Sequence, residues 1–286
     1  MNADSAFRIG SSHAVCQDYS LAGAWPPSAH AESRGPRPYV ILSDGCSSSP
    51  DTDIGARLMV KAAERTLREH GGPPGRDLAE IHEEAARLAL EWAELLGLRS
   101  QAVDATLLTA HLDGEELAIG CSGDGVVCLQ TREGALDVYS IAYPSGYPLY
   151  PSYTHQPERL LALGDAGRAC KEVRHYRSAS VEDRLQPRGA TAGGPPTEVF
   201  TVKAADYECA ALFSDGIHSF FRAGQTEAGG GVEPVPLDLV LRDLVSFKTT
   251  RGAFVGRRMK RFLKDCRRKG WQHADDLAVG ALHTGG

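Results

Sequence analysis

The sequence predicts an α+β fold with four layers, an α-β-β-α sandwich of two antiparallel sheets flanked by helices. Strand-like segments lie at the beginning, in the middle and at the end of the chain. Two helical segments separate the first strands from the middle ones, and two more precede the last strand. This segregation of strands from helices, with no internal repeat, favours packed antiparallel sheets over a regularly alternating βαβ fold.

Each element follows from the period of its apolar residues. Helical spacing predicts four helices, at 54–67, 77–96, 237–247 and 257–266. Strand character predicts segments at 39–44, 103–112, 116–121, 126–130, 136–142, 198–202, 208–214 and 277–282. The segments at 198–202 and 208–214 are interpreted as a strand pair. Loops are predicted at 23–38 and around 229–231, where proline and glycine accumulate.

Composition excludes several classes of protein. The 286 residues suffice for one large domain or two small ones, and 42% hydrophobic residues can form a substantial core. The formal charge of −6 argues against a chain built to coat nucleic acid. The first residues lack a basic-then-apolar signal, and no apolar run approaches a membrane span. Seven scattered cysteines without a Cys-x-x-Cys pair indicate buried thiols in a reducing cytosol, rather than disulfides or zinc ligands.

Asp44 ends a strand-like run of apolar residues and is followed by Gly45. Such a pattern places one carboxylate at the end of a buried strand, although a plain strand followed by an Asp-Gly turn explains a single case better. The pattern recurs at Asp215, again after an apolar run, and Asp275 precedes a third run. Three strand ends therefore carry carboxylates that the fold can bring together.

Converging carboxylates repel one another unless a cation lies between them. All-oxygen ligation suits hard cations such as Mg²⁺ and Mn²⁺. Asp124 lies on a further tight turn, where a turn role and a metal role are both open. The polar stretch from Gly10 to Asp18 indicates, by itself, only a loop or an edge strand.

Taken in order, these motifs resemble the metal-dependent type 2C protein phosphatases, of the bacterial branch that begins Gly-x-Ser-His. The matching positions are Cys16-Gln17-Asp18, Ser43-Asp44-Gly45, Asp104-Ala105-Thr106, Gly123-Asp124-Gly125, Ser214-Asp215-Gly216 and Asp275-Asp276. They span nearly the whole chain. The resemblance implies a single domain over 1–286, with a flap or loop insertion at about 143–197.

The resemblance also implies residue roles and cofactors. It implies two Mn²⁺ or Mg²⁺ ions, with a weaker third. Asp44 would bridge the two ions, with the Gly45 carbonyl as a further ligand. The catalytic carboxylates would be Asp44, Asp215 and Asp275, the last two as metal ligands. Asp18 would hold a metal directly or through water, and Asp124 would belong to the third site.

Activity is expected to be the hydrolysis of phosphoserine or phosphothreonine in proteins by a metal-activated water, without a covalent intermediate. The expected partners are a phosphoprotein substrate and a serine/threonine kinase, in the cytoplasm, with neither membrane nor nucleic acid involved.

The chain departs from the family pattern at two positions that matter for chemistry. His13 stands where an arginine usually binds the substrate phosphate, and Cys46 replaces a histidine proposed as proton donor. We predict that His13 contacts the phosphate instead. The same replacements support an alternative, a catalytically silent phosphatase fold that binds a phosphoprotein or regulates a partner kinase. A hydrolase for small phosphoesters is a third reading.

A basic cluster follows near the end of the chain. It comprises Arg251, Arg257, Arg258, Lys260, Arg261, Lys264, Arg267, Arg268 and Lys269. It fits either the solvated face of an amphipathic helix or a site for nucleic acid or an acidic partner. The acidic remainder of the chain favours the solvated face.

Overall fold

The structure is a computed structural model that describes residues 1–25, 37–70, 77–162, 171–223 and 232–285. Four helices have defined bounds, α1 (Thr52–His70), α2 (Leu78–Leu95), α3 (Leu237–Val245) and α4 (Phe254–Arg268). The strands are β1 (Asn2–Arg8), β2 (Asp18–Trp25), β3 (Arg37–Asp44), β4 (Leu107–Asp113), β5 (Glu116–Ser122), β6 (Gly125–Gln130), β7 (Leu136–Ala142), β8 (Glu172–Arg177), β9 (Gln186–Ala192), β10 (Thr197–Lys203), β11 (Cys209–Phe213), β12 (Phe220–Ala223), β13 (Val232–Pro234), β14 (Trp271–His273) and β15 (Leu277–His283).

The strands form two large sheets and a small one, with antiparallel pairing throughout the described residues. The larger sheet has the order β1-β15-β11-β6-β7-β8-β9, and the second has the order β10-β5-β4-β3-β2. A three-stranded sheet, β13-β12-β14, lies beside them. The last strand of the chain, β15, therefore lies between the first strand and β11.

Three apolar layers separate four layers of secondary structure. On β3, Ile41 packs against α1 and α2, whereas Leu42 packs between the two large sheets. On β6, Val127 points into the same space between the sheets, and Val126 packs on the opposite face with α3 and α4. Alternate residues of a strand face opposite sides of its sheet, so each sheet contacts helices on one face and the other sheet on the second. The predicted α-β-β-α sandwich is confirmed.

The predicted strand pair at 198–202 and 208–214 is wrong. Both segments are strands, but β10 pairs with β5 in the second sheet, whereas β11 lies between β6 and β15 in the larger one. A short 3₁₀ turn at Ala204–Asp206 carries the chain from one sheet to the other. Closeness in sequence suggested a hairpin, but the apolar pattern of a strand does not specify its partner.

Other boundaries differ in smaller ways. The segment predicted as strand from 103 begins instead as a 3₁₀ helix, Ser100–Val103, and β4 starts only at Leu107. The second helix begins as predicted, because the Asp77 side chain accepts a hydrogen bond from the Ala79 N–H. The predicted loop at 23–38 lies mostly outside the described residues, as does the one around 229–231.

The segment at 143–197 contains regular structure where it is described. It includes a 3₁₀ helix, Pro151–His155, a helical stretch at 157–162, and strands β8 and β9 at the edge of the larger sheet. That this segment forms a flap stays a prediction.

The described cysteines are all free thiols, four of them buried, with Cys16 and Cys46 partly accessible. No helix among the described residues has the length and apolar character needed to span a membrane.

A buried histidine fastens α2 to the second sheet. His82 is inaccessible to solvent, and its ring nitrogens lie 2.8 Å from Ser122 Oγ and 2.8 Å from Thr109 Oγ1. Gly120 leaves the room that the ring needs, because a Cβ there would lie 2.8 Å from His82 Nε2. Burial lowers the pKa of His82 to about 3, so the folded protein keeps the ring neutral.

We expect His82 to make folding less favourable in acid. The unfolded chain protonates this histidine below its ordinary pKa of about 6.5, and the folded chain does not, so the stability that the neutral ring contributes is lost as pH falls. The measurement is the difference in the free energy of unfolding between wild type and His82→Gln, from about pH 7.5 to about pH 5. Glutamine does not titrate, so the wild-type advantage must shrink with falling pH. A constant difference would contradict the assignment.

Candidate active site

Two aspartates face each other where β2 begins and β3 ends. Asp18 and Asp44 are directly opposite in the antiparallel register of these strands. The Asp44 N–H donates to Thr106 Oγ1 at 3.0 Å, which fixes the end of β3 against the start of β4. Asp18 is fully buried, and Ser214 Oγ donates a hydrogen bond of 2.7 Å to its Oδ2 atom. Because Ser214 follows β11, this bond ties the two large sheets together at the site.

Three further aspartates come from neighbouring strands of the larger sheet. Asp215 follows β11, Asp275 precedes β15, and Asp124 precedes β6. Phe213, near the end of β11, pairs with Val279 on one side and Val126 on the other. The register therefore places all three carboxylates at the same end of these strands. The six predicted metal ligands, Asp18, Asp44, Gly45, Asp124, Asp215 and Asp275, thus lie at one edge of the sandwich.

Burial and mutual repulsion dominate the electrostatics of this edge. The pKa of Asp18 is raised to about 8 and that of Asp124 to about 7, in both cases first by burial and then by the charge of Asp215. The pKa of Asp44 is raised well above its ordinary value, first by burial and then by the charges of Asp18 and Asp215. Burial and Asp215 also raise the pKa of Asp275. The cluster therefore resists ionisation unless a positive charge joins it.

The oxygen atoms of the cluster suit a hard cation. Asp18 Oδ1 and Asp215 Oδ1 are buried and make no hydrogen bond. A buried carboxylate oxygen without a partner is costly, and a divalent cation would satisfy it. Within the described ranges, no three His, Cys, Asp or Glu side chains are arranged closely enough to enclose an ion as they stand. The donor chemistry and the two unpaired oxygens fit Mg²⁺ or Mn²⁺, and binding would require the carboxylates to draw together.

Asp276 organises the loop that precedes β2. Its carboxylate accepts the Gly10 N–H at 2.7 Å and the Gln17 N–H at 2.6 Å, and it lies 3.0 Å from His13 Nδ1. A Cβ on Gly216 would lie only 1.7 Å from the Asp276 carbonyl oxygen, so this approach requires glycine. Asp276 thus holds the loop and the 215–216 turn against each other.

His13 lies between two acidic side chains. Its Nε2 atom is 3.5 Å from Asp275 Oδ1, in addition to its contact with Asp276. The adjacent Asp276 carboxylate raises the pKa of His13 more than partial burial lowers it, and Asp275 and Asp18 add to the effect. The imidazole therefore keeps its positive charge to a higher pH than a free histidine does.

Gly45 and Gln17 pack against the start of α1. The Gly45 N–H donates to the Gln17 carbonyl at 3.2 Å, and Gln17 Nε2 donates to Thr52 Oγ1 at 2.9 Å. A Cβ on Gly45 would lie 2.6 Å from the Thr52 carbonyl oxygen. The side-chain amide of Gln17 is thus engaged by a residue of α1, Thr52.

Asp104 has a structural partner that the sequence did not indicate. Its buried carboxylate accepts two hydrogen bonds from the Arg159 guanidinium and one of 2.7 Å from Ser49 Oγ. The Arg159 Cζ atom also lies 4.5 Å from the centre of the Tyr153 ring. The Asp104–Arg159 ion pair holds the 143–162 segment in place beside the site. The contacts of Asp104 and Ser214 were missed because no local sequence pattern marks a partner so far along the chain.

Cys46 lies at the margin of the same site. Burial by itself would raise the pKa of the thiol, but hydrogen bonds from Ser48 and Tyr150 outweigh it and lower the pKa. The Cys46 Sγ and Ser48 Oγ atoms are 3.1 Å apart. The thiol is therefore held within a hydrogen-bonded group.

A sequence model of the family described as Protein phosphatase 2C matches residues 10–264. The chain belongs to this family. The match includes five of the six predicted ligands and all of the residues between them, and a comparison with curated proteins returns no match.

Bacterial phosphatases of low sequence identity are among the solved structures with the same fold. A bacterial serine phosphatase superposes with a TM-score of 0.56 at 12% identity, covering 100% of this chain and 98% of the other. The serine/threonine phosphatase Stp1 from Staphylococcus aureus gives 0.53 at 13% identity, with 100% and 96% covered. The S. agalactiae serine/threonine phosphatase gives 0.51 at 12% identity, with 98% of each chain covered. These likenesses confirm the protein phosphatase 2C fold.

We expect Asp44→Asn to stabilise the protein in the presence of a chelator. The raised pKa of Asp44 means that ionising this carboxylate costs folding free energy, and the amide carries no charge. The gain should be about 1 kcal/mol or more at pH 8.5, and it should vanish towards pH 4, where the carboxyl is protonated. Chemical denaturation at the two pH values measures it.

Asp276→Asn is the matched control for this prediction. Asparagine has one oxygen and one NH₂ group where aspartate has two oxygens, so its NH₂ group must face either the Gly10 N–H or the Gln17 N–H. The substitution should therefore destabilise the protein by about 1–3 kcal/mol. Equal losses of stability in Asp44→Asn and Asp276→Asn at pH 8.5 would contradict the prediction, because ionising Asp44 would then cost the folded protein nothing.

Proposed function

We propose that this member of the protein phosphatase 2C family is a metal-dependent protein serine/threonine phosphatase. One observation carries the proposal. Aspartates from four separate parts of the chain, near residues 18, 44, 124 and 215, meet a fifth at 275, and two of their buried oxygens lack a partner. A cluster whose ionisation is unfavourable without a cation is suited to binding one and has no evident structural use.

The residues that would hold two Mn²⁺ or Mg²⁺ ions are Asp18, Asp44, the Gly45 carbonyl, Asp215 and Asp275, with Asp124 for a weaker third. When bound, such ions lower the pKa of water and neutralise phosphate charge. Ser214 keeps Asp18 in place through its 2.7 Å hydrogen bond. Asp276 lies 3.0 Å from His13 Nδ1 and favours the charged imidazole, and His13 would contact one phosphate oxygen of a phosphoserine or phosphothreonine substrate.

A second candidate function rests on His13 and on the arrangement of the carboxylates. His13 lies close to Asp275, and the described residues hold no ready-made group of three ligands. These features fit a catalytically silent module that binds a phosphoprotein or regulates a partner kinase. Turnover decides between the two candidates, and small phosphoesters, tested alongside, address the third reading.

We expect hydrolysis of a phosphothreonine peptide to require Mn²⁺ or Mg²⁺. Phosphate release should be absent after chelation and return when either ion is added. Asp44→Asn should lower kcat by about 10²-fold or more at saturating Mn²⁺, because a carboxylate proposed to contact both ions is gone.

Arg188→Glu is a control for this experiment, because its exposed side chain lies on β9, outside the site, and it should leave kcat unchanged. Full turnover after exhaustive chelation would refute metal dependence. No turnover with either ion, together with retained binding of the phosphopeptide, would establish the silent module.

We expect the pH dependence of KM to identify His13. Its raised pKa keeps the imidazole charged to a higher pH than usual, and the charge is lost as pH rises through that pKa, so KM should rise there. His13→Arg should flatten the KM profile, because a guanidinium stays charged. His13→Ala should raise KM at mildly acidic pH. KM and kcat must be determined separately between about pH 6 and pH 9. The proposed nucleophile is an activated water, which forms more hydroxide as pH rises and so changes kcat in the same pH range. Identical KM profiles in all three proteins would remove His13 from the phosphate site.

A further inference from the structure

The basic cluster of the sequence lies mainly on one exposed face of α4. Within this helix, positions 257, 260, 261, 264 and 267 recur at helical spacing, and all five side chains are exposed. We call these five residues, Arg257, Lys260, Arg261, Lys264 and Arg267, the basic face. The opposite face of α4 is buried, with Phe254, Met259 and Phe262 in the apolar layer against the larger sheet.

The basic face has no acidic partner within the described residues. Arg257 donates to a backbone carbonyl, that of residue 251, and Arg267 to that of residue 263. Lys260, Arg261 and Lys264 form no ion pair with any carboxylate in the described part of the chain. Three neighbouring cations do have partners: Arg258 and Lys269 pair with Asp243, and Arg268, which follows Lys264 by four residues on the same face, pairs with Asp265.

This arrangement costs stability. Like charges three and four residues apart on a helix repel one another. Arg257 also lies in the first turn of α4, where a cation opposes the helix dipole. A solvated helix face needs polar residues, but it does not need five cations accompanied by one carboxylate, Asp265, which pairs with Arg268 instead. In a chain with a net charge of −6, such a concentration of positive charge favours a binding role.

The chemistry of the basic face selects the kind of partner. No aromatic side chain of α4 is exposed, since Phe254 and Phe262 are buried, so the face offers no surface on which nucleic-acid bases could stack. It also lacks the exposed apolar residues with which an amphipathic helix enters a membrane. Recognition must therefore rest on charge, and the acidic remainder of the protein repels a long polyanion. A short acidic segment of a polypeptide meets both conditions.

The C-terminal end of α4 leads towards the candidate active site. Phe262, on the buried side of α4, contacts Phe220, with ring centres 5.2 Å apart, and Phe220 stacks on His273 at 5.4 Å. His273 ends β14, two residues before Asp275. Arg267 of the basic face and Asp275 are eight residues apart in the chain, so at most about 29 Å separates them. An extended peptide of comparable length can therefore reach both.

We infer that the basic face binds an acidic segment of the phosphoprotein substrate while the phosphorylated residue lies at the carboxylate cluster. The inference rests on the proposed function and adds a substrate class to it, namely phosphoproteins with a run of aspartates or glutamates a few residues from the phosphorylation site. Electrostatic attraction of this kind raises association rate and specificity and weakens with salt.

Two phosphothreonine peptides test the inference, one with a polyglutamate tail starting about four residues from the phosphothreonine and one with a polyglutamine tail. The variant is Arg261→Glu/Lys264→Glu. The control is Arg188→Glu/Lys203→Glu, which makes the same change of charge at exposed positions on β9 and β10. Dissociation constants are measured by fluorescence anisotropy with labelled peptides, including the acidic peptide without its phosphate, and KM and kcat are measured for both peptides and for p-nitrophenyl phosphate.

We expect wild type and control to bind the acidic peptide about fivefold or more tightly than the glutamine peptide, and the variant to lose this preference. Added salt should weaken binding of the acidic peptide to wild type and have little effect on the variant. The kcat for p-nitrophenyl phosphate should be the same in all three proteins.

Equal affinities of wild type for the two peptides, or an equal loss in the control, would overturn the inference. So would tighter binding of a double-stranded oligonucleotide than of the acidic peptide, since the partner would then be nucleic acid. Because binding is measured without turnover, the proposed function can fail, with no phosphate released from any substrate, while the acidic peptide still binds to the basic face.

Discussion

The repulsion among five carboxylates is the constraint on which the arrangement of this protein depends. Burial raises the pKa values of Asp18, Asp44 and Asp124, and the charge of Asp215 contributes to all three shifts. The fold withstands this cost because each aspartate lies at the end of a strand that the hydrogen bonds of its sheet hold in place. The paired strands thus keep like charges near one another, at an edge where cations would bind as the carboxylates draw together.

The two sheets contribute to the site in different ways. The second sheet provides Asp18 and Asp44 on adjacent strands, and the larger sheet provides the other three on β6, β11 and β15. Ser214 connects the two sets, because it donates to Asp18 and accepts the Ala278 N–H at 2.9 Å. Packing between the sheets therefore controls the distance between the two groups of carboxylates, and a substitution in the layer between them would act on the site without touching it.

Much of this architecture could be predicted from the sequence, because local patterns encode it. The spacing of apolar residues predicted helices and strands, and the repeated Ser-Asp-Gly at 43–45 and 214–216 indicated two strand ends. The sheet to which β10 and β11 belong was not encoded locally, nor was the ion pair of Asp104 with Arg159. Such partners are determined by how the whole chain closes, and neither spacing nor composition contains that information. The roles of Asp44, Asp215, Asp275 and His13 stay predictions until metal binding and turnover are measured.

The position of β15 has a consequence for synthesis of the protein. This strand lies at 277–283 and pairs with β1 on one side and β11 on the other. During translation, β1 leaves the ribosome first but has no neighbour in its sheet until β15 emerges. The larger sheet therefore cannot close until residues 277–283 have left the ribosome, and until then its unpaired strand edges are open to aggregation. The Asp275–Asp276 side of the carboxylate cluster likewise takes its folded position only after β15 has formed.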